Sequence, residues 1–274
     1  MANDTEQHDE MKSGSAGEEM VLLFLFGVLL AGVLAVLYFD FRTLHGNSVP
    51  FNLPFLKTAP TTSPITPAKD QDQIRRYSPQ TKVDFGPGGK AKLPGVAGNA
   101  DTLLSGSMTF HNAGNGVISA IGLIEPGTTF RFEDFIKSLD DVDPVSEIYL
   151  HSPGGSVRDA IDMSRFIRDR EITTHITKHG YCASSCPLVF SGGAKRNIGK
   201  PAVLGVHQVF TSDTATGTLQ QGIANAQAIS ADAQELLVDM GVDPRAWIKA
   251  MATSKDQLYL FTEKEIEELN WTLE

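Results

Sequence analysis

The chain has 274 residues, of which 41% are hydrophobic and 20% charged, a composition typical of globular proteins that bury a core. Its 23 Lys and Arg against 33 Asp and Glu give a net charge of −10. An acidic surface does not attract phosphate backbones, so we expect no nucleic-acid partner.

One stretch near the N-terminus is apolar enough to cross a membrane. Met20 to Phe39 is a run of 20 residues without a charge, which matches the length of helix that spans the hydrocarbon layer. Its length and its acidic N-terminal flank argue against a cleaved signal peptide, so we expect a retained anchor in the lipid bilayer. Lys12 before the run, and Arg42 and Lys57 after it, are too few to set the orientation.

Composition divides the rest of the chain. Residues 1–19 are polar and acidic, which predicts a disordered N-terminus. Residues 40–100 are rich in Pro, Thr and Gly, which indicates a linker. A folded domain is predicted over residues 101–274.

The predicted domain alternates strands with helices. Apolar or β-branched runs predict strands at residues 116–124, 147–150, 172–177, 202–207 and 258–261. Helices are predicted at residues 130–139, 156–170, from about 184, and at 217–240, 244–252 and 262–269. This alternation indicates an α/β domain with a mainly parallel sheet and right-handed crossovers.

A glycine-rich turn, SPGGS, follows the second predicted strand. Pro153 fixes one φ angle, and Gly154 and Gly155 permit conformations that expose backbone N–H groups. The helix after the turn directs its positive end toward the same place. The turn is therefore a candidate oxyanion hole, although a tight strand-to-helix connection without a ligand fits the same residues.

A second turn, GYCASSC, follows the third predicted strand and places Ser184 at the start of a helix, with Pro187 in its first turn. A serine there can simply cap the helix. The next predicted strand, however, ends in His207, and a serine hydroxyl becomes a good nucleophile when a histidine takes its proton. The pair Ser184 and His207 therefore favours a catalytic site over a cap.

The ordered motifs SPGGSV, GYCASSCPLVFSGG and AVLGVHQ resemble the proteolytic subunit of Clp protease (ClpP) in the ClpP/crotonase superfamily, most of all its membrane-anchored or exported bacterial relatives. The resemblance covers residues 116–269 and implies a fold of repeated β-β-α units. It implies a serine endopeptidase with Ser184 as nucleophile and His207 as general base. The oxyanion hole that it implies consists of the N–H groups of Gly154, Gly155 and Ser185.

The family also has an aspartate that orients the histidine, placed before the last strand. A gap-free match places Ser254 there, with Asp256 two residues away, and Asp256 is our candidate. The resemblance further implies a peptide or protein substrate, a homo-oligomer and no cofactor. It places the protein in the inner or cell membrane, with its domain on the periplasmic or extracytoplasmic side.

Other interpretations of these residues stay open. Cys182 and Cys186, the two cysteines of the chain, can form a disulfide outside the cytoplasm or stay reduced inside it. They lack a second pair of ligands at zinc spacing, so no metal site is expected. Lys178 is an alternative base for Ser184. A catalytically weak or inactive ClpP-like binding module, and a crotonase-like enzyme acting on an acyl thioester, are alternative functions.

Overall fold

The computed structural model describes residues 15–44, 73–78, 89–210 and 218–274. The chain divides into two compact units, Met1–Thr61 and Thr62–Glu274. The predictions made for residues 1–14, for the linker at 45–72 and 79–88, and for the helix start at residue 217 lie outside the described residues.

The first unit contains one long helix, α1 (Ser15–Leu44). Within it, the 20 residues Glu19–Tyr38 have a mean hydropathy of 3.0, so this helix is long and apolar enough to cross a membrane. Residues 15–19 were expected to be disordered, but they form the first turns of this helix.

The second unit is a mixed α/β fold built on two sheets. Strands β2 (Thr109–Gly114), β3 (Val117–Ile121), β4 (Glu147–His151), β5 (Thr173–Ile176) and β7 (Arg196–Ile198) form the first sheet in this order. Strands β1 (Ile74–Arg76), β9 (Gln257–Leu260), β8 (Val203–Val206) and β6 (Tyr181–Ala183) form the second sheet in this order. In the first sheet β3, β4, β5 and β7 run parallel, and in the second β6 and β8 do.

Among the described residues of this unit, six α-helices accompany these sheets: α2 (Thr128–Lys137), α3 (Val157–Asp169), α4 (Cys186–Ser191), α5 (Leu219–Asp239), α6 (Arg245–Met251) and α7 (Glu263–Glu268). Each predicted helix and strand of the domain is present, with ends that differ by a few residues. The prediction of an α/β fold with one apolar helix before it is therefore confirmed. Four strands, β1, β2, β6 and β7, were not predicted.

The folded unit takes up part of the range that was assigned to the linker. Strand β1 pairs antiparallel with β9, with Ile74 opposite Tyr259. Ala91 and Leu93 are buried in a cluster with Ile121 of β3. These residues form structure because each finds an apolar surface or an open strand edge on the domain, a non-local cause that the local composition does not reveal.

Candidate active site

Ser184 lies in a strained turn between a strand and a helix. Strand β6 ends at Ala183, Ser184 has a φ of 62°, and α4 begins at Cys186, two residues later than predicted. The Ser184 N–H donates to the Gly205 carbonyl of β8 at 2.9 Å, which fixes the turn against the neighbouring strand. A serine held in a left-handed conformation at such a turn is the arrangement of the nucleophile elbow in hydrolases.

The glycine turn after β4 packs directly on the turn that holds Ser184. The Ser152 N–H donates to the Tyr181 carbonyl at 2.7 Å, and the Ala183 N–H donates back to the Ser152 carbonyl at 3.0 Å. Gly154 has a φ of 92°, and a Cβ there would lie 2.5 Å from the Ala183 carbonyl oxygen and 2.6 Å from the Ser184 Cβ. This close approach of two backbones therefore requires glycine at position 154.

Two backbone N–H groups in these turns are available to a ligand. Neither the Gly155 N–H nor the Ser185 N–H donates to any residue in the described ranges. The Gly154 N–H was expected to join them, but it donates to the Ser152 hydroxyl at 3.0 Å. The candidate oxyanion hole is thus formed by Gly155 and Ser185, because Ser152 folds back under the turn and occupies the third donor.

His207 directly follows β8, and together with Ser184 it lines a cavity of about 310 Å³. The His207 side chain is 4% exposed. Its Nδ1 makes a 2.9 Å hydrogen bond with the Gln208 carbonyl, and its buried Nε2 has no partner among the described residues. Because a carbonyl only accepts, Nδ1 carries the proton and Nε2 is the free acceptor.

Burial lowers the pKa of His207 from its ordinary value of 6.5, and the hydrogen bond with Gln208 partly opposes this shift. The imidazole is therefore neutral at pH 7, the state that a general base requires. The rest of the cavity lining is mainly apolar and includes Val157, Phe210 and Trp247.

Ser184, His207 and the two available N–H groups thus belong to one site. No family model and no curated protein matches this chain. The roles of these residues therefore rest on the geometry of the chain itself, which contains a strained serine, a neutral histidine with a free acceptor nitrogen, and two unengaged N–H donors.

The structure does not bring Asp256 to His207. The Asp256 carboxylate is exposed in the turn before β9 and accepts a 2.5 Å hydrogen bond from Ser254, which lowers its pKa. The Gln208 carbonyl takes the place beside Nδ1 of His207 where a triad aspartate would lie. The prediction of Asp256 as the orienting residue is therefore wrong, because its side chain turns to solvent and to the neighbouring serine.

Sequence reasoning missed one residue of this site, Tyr77, which follows β1. Its hydroxyl donates to the Pro153 carbonyl, and its ring centroid lies 4.6 Å from that of His207. Burial raises the pKa of Tyr77 to about 12. The residue was assigned to a linker, and no local sequence pattern marks it.

Two further predictions concern the surroundings of Ser184. Cys182 and Cys186 form a disulfide with a Cα–Cα distance of 5.2 Å, and both cysteines are fully buried on either side of the serine turn. Lys178, the alternative base, is exposed after β5 and does not line the cavity. The histidine in the cavity is therefore the better candidate for the base.

Proposed function

We propose that this chain is a membrane-anchored serine peptidase of the ClpP/crotonase type, with Ser184 as nucleophile and His207 as general base. One observation carries the proposal: His207, whose buried Nε2 has no partner among the described residues, lines the same cavity as a strained serine. The two N–H groups of Gly155 and Ser185 support acyl transfer in particular, because that reaction develops negative charge on an oxygen.

The chemistry follows from these groups. The Ser184 Oγ attacks the peptide carbonyl carbon and its proton passes to Nε2 of His207, while the N–H groups of Gly155 and Ser185 donate hydrogen bonds to the negatively charged carbonyl oxygen. The protonated His207 then gives the proton to the leaving amine. In the second half of the reaction His207 takes a proton from water, whose oxygen attacks the acyl carbon, and returns that proton to the Ser184 Oγ as the acid product leaves. The Gln208 carbonyl holds the Nδ1–H throughout. A neutral carbonyl stabilises the imidazolium less than a carboxylate does, so we expect slow hydrolysis.

The anchor, compartment and assembly belong to the same proposal. Helix α1 would span the inner or cell membrane once, and the buried disulfide supports a periplasmic or extracytoplasmic position for the domain. Exposed apolar side chains on α5 and α6, among them Ile223, Val238 and Ile248, support a homo-oligomer. The substrate would be a peptide or protein segment that reaches the Ser184 cavity.

A fluorophosphonate probe tests the proposed nucleophile. The Ser184 oxygen forms a bond to phosphorus, fluoride leaves, and His207 takes the serine proton. We expect the full chain in detergent micelles to be labelled, Ser184→Ala to lose all labelling, and His207→Ala to be labelled about 100-fold more slowly or worse. Asp256→Asn is the matched control and should be labelled at the wild-type rate, since that carboxylate faces solvent. Labelling that survives Ser184→Ala would refute the assignment.

The pH dependence of labelling should report the lowered pKa of His207. The base acts when neutral, so the rate is full above the folded pKa and is lost as the pH falls through it, with a midpoint below 6.5. The same group affects stability: the unfolded histidine binds its proton first, so stability declines as the pH falls from about 6.5 toward the folded pKa. A rate midpoint at 6.5 or above would show that the buried His207 is not the base.

One observation favours a second candidate, a catalytically weak or inactive binding module with the same fold. A backbone carbonyl, rather than a carboxylate, orients His207. If folded wild-type protein gives no fluorophosphonate label at any pH while it binds peptides, the binding module is the better description.

A further inference from the structure

One buried histidine directly precedes the glycine turn and takes no part in the proposed mechanism. This residue, His151, is the last residue of β4 and is 0% exposed. Its Nε2 makes a 3.1 Å hydrogen bond with the carboxylate of Asp101, which lies in a 3₁₀-helix at Ala100–Leu103 and is 8% exposed. Neither His151 nor Asp101 lines the cavity that contains Ser184. The pair therefore does not act as a second general base.

The hydrogen bonds of His151 determine which nitrogen of its ring carries the proton. Nδ1 accepts the backbone N–H of Tyr181, the first residue of β6, at 3.0 Å. Because a backbone N–H only donates, Nδ1 carries no proton, and in the neutral ring Nε2 carries it and donates to Asp101. Asp101 thus selects the tautomer whose Nδ1 can accept from β6. Through its side chain, His151 joins the end of β4 to the start of β6.

Two backbone hydrogen bonds continue the alignment that this side-chain bond begins. The Ser152 N–H donates to the Tyr181 carbonyl at 2.7 Å, and the Ala183 N–H donates to the Ser152 carbonyl at 3.0 Å. After these bonds the two segments diverge, one into the glycine turn and the other into the turn that holds Ser184. The bond between His151 and Tyr181 therefore lies just ahead of both turns.

The proposed oxyanion hole is assembled across this junction. One of its donors, the Gly155 N–H, belongs to the turn after β4, and the other, the Ser185 N–H, belongs to the turn after β6. A shift of β4 along β6 would change the distance between the two donors even if neither turn changed its own conformation. The relative position of the two strand ends therefore decides whether both N–H groups can bind one oxygen atom.

We propose that His151, with its tautomer held by Asp101, is a positioning residue: it fixes β4 against β6 so that both N–H groups converge on the carbonyl oxygen of the substrate. The inference rests on the proposed peptidase function and adds a residue to that same site. His151 acts through Tyr181 and the two strand ends, and it takes no part in proton transfer. Loss of its imidazole should therefore slow the chemical step and leave binding in the apolar cavity unchanged.

The test measures how fluorophosphonate labelling of the full chain in detergent micelles depends on probe concentration, since the phosphoryl oxygen of the probe would occupy the oxyanion hole. This dependence gives a maximal rate constant and a half-saturating concentration. We expect His151→Leu to lower the maximal rate constant about 100-fold, the effect of losing one oxyanion donor, with the half-saturating concentration unchanged. A purely structural role would lower thermal stability but leave the folded variant with the wild-type maximal rate constant, and that result would overturn the proposal.

Two amide variants keep the proposal testable if His151→Leu does not fold. In His151→Asn the amide oxygen is as many bonds from Cβ as Nδ1, so it can still accept from Tyr181. In His151→Gln the amide group is one bond further out, at the place of Nε2, and it reaches Asp101 instead. We expect His151→Asn to stay close to the wild-type maximal rate constant and His151→Gln to be about ten-fold slower, which matches one lost hydrogen bond. Equal rate constants for the two variants would contradict the positioning role.

His175→Leu is the matched control. His175 lies on β5, the neighbour of β4 in the first sheet, its Nε2 is 3.0 Å from the Glu147 carboxylate, and it does not line the cavity. This variant should be labelled with the wild-type constants. If the wild type is labelled and folded His151→Leu keeps its maximal rate constant, the positioning role is wrong and the peptidase proposal stands. If neither the wild type nor His175→Leu is labelled, the peptidase proposal fails and the positioning role fails with it.

Discussion

Replacing Gly154 with alanine is expected to lower fluorophosphonate labelling of Ser184 by about 100-fold or more, because a displacement of about 1 Å at a reacting atom has an effect of that size. The added Cβ would lie 2.5 Å from the Ala183 carbonyl oxygen, 2.6 Å from the Ser184 Cβ and 2.8 Å from the Ser185 nitrogen. Two of these atoms belong to the turn that holds Ser184, and the third belongs to Ala183, the last residue of β6. The turn must therefore move as a whole, so that Ser184, the proposed nucleophile, moves together with Ser185, one of the proposed oxyanion donors.

Gly241→Ala separates this effect from backbone strain. Gly241 also has a positive φ, 74°, but a Cβ there would meet nothing within 4 Å. Its substitution should lower the free energy of unfolding by about 1 kcal/mol and leave the labelling rate unchanged. If Gly154→Ala is labelled as fast as Gly241→Ala, the glycine turn does not support Ser184. Thermal unfolding of both variants, followed by tryptophan fluorescence, confirms that folded proteins are compared.

The sequence predicted those parts of the site whose position depends on one strand and the turn that directly follows it. Ser184 and His207 each end or follow a buried strand, and parallel strands bring their carboxyl ends to one edge of a sheet. The pairing of β6 with β8 does this, with Ala183 opposite Gly205. The two-glycine turn was predicted for the same reason. Local pattern therefore sufficed wherever one strand and its following turn determined the position of a residue.

The residues that were missed or misplaced depend on contacts between distant segments. Tyr77 reaches His207 only because β1 pairs with β9, and the three residues of β1 are too few to show a strand period. Asp256 precedes β9 and its backbone lies at the site, since its carbonyl accepts from the Tyr77 N–H. The gap-free match places Ser254 at the aspartate position and Asp256 two residues away, and it does not predict that the Asp256 side chain points to Ser254 instead of His207.

The Gly154 N–H shows a third limit of sequence reasoning. Two adjacent glycines suggest two available donors, yet the Ser152 hydroxyl accepts from Gly154 and itself donates to the Gly122 carbonyl at 2.6 Å. A serine two residues before the glycine is a common partner for such a turn. Ser152 could therefore have been suspected from the sequence, whereas its link to Gly122 is non-local.

Replacing Arg196 with methionine should lower the free energy of unfolding by about 4 kcal/mol or more, a loss at the upper end for single substitutions. Arg196 of β7 is 1% exposed, and its guanidinium donates to the carbonyls of Trp271, Met240 and Asn270, each at 2.9 Å. Further bonds reach Ser191 at 3.2 Å and Gly193 at 3.5 Å. These carbonyls follow or end α4, α5 and α7, so one side chain reaches the ends of three helices, and it shares the ends of α4 and α5 with Arg168.

The contacts of Arg196 differ from a buried ion pair. Apolar residues can replace an ion pair at little cost, because the substitutions remove both charged side chains. The partners of Arg196 are backbone carbonyls, and no side-chain substitution removes them. The carbonyls of Ser191, Gly193 and Met240 also accept from Arg168. Those of Trp271 and Asn270 would lose their bond to this side chain, at a cost of about 1–3 kcal/mol each before relaxation. Burial is the larger cause that lowers the pKa of Arg196 to about 10, and the nearby positive charge of Arg168 is the smaller one. Arg196 therefore keeps its charge at pH 7.

The chain offers both a spectroscopic probe and a control for Arg196→Met. Its two tryptophans, Trp247 and Trp271, are buried in the folded unit, so their fluorescence during urea unfolding in detergent micelles reports on this unit. Arg245→Met removes a guanidinium that is paired with Asp243 on the surface and should leave the free energy of unfolding nearly unchanged. If Arg196→Met lowers the free energy of unfolding as little as Arg245→Met does, water or a local rearrangement satisfies the carbonyls. A large loss would identify Arg196 as the residue that joins the ends of α4, α5 and α7, and thereby holds the helix that follows Ser184 in place.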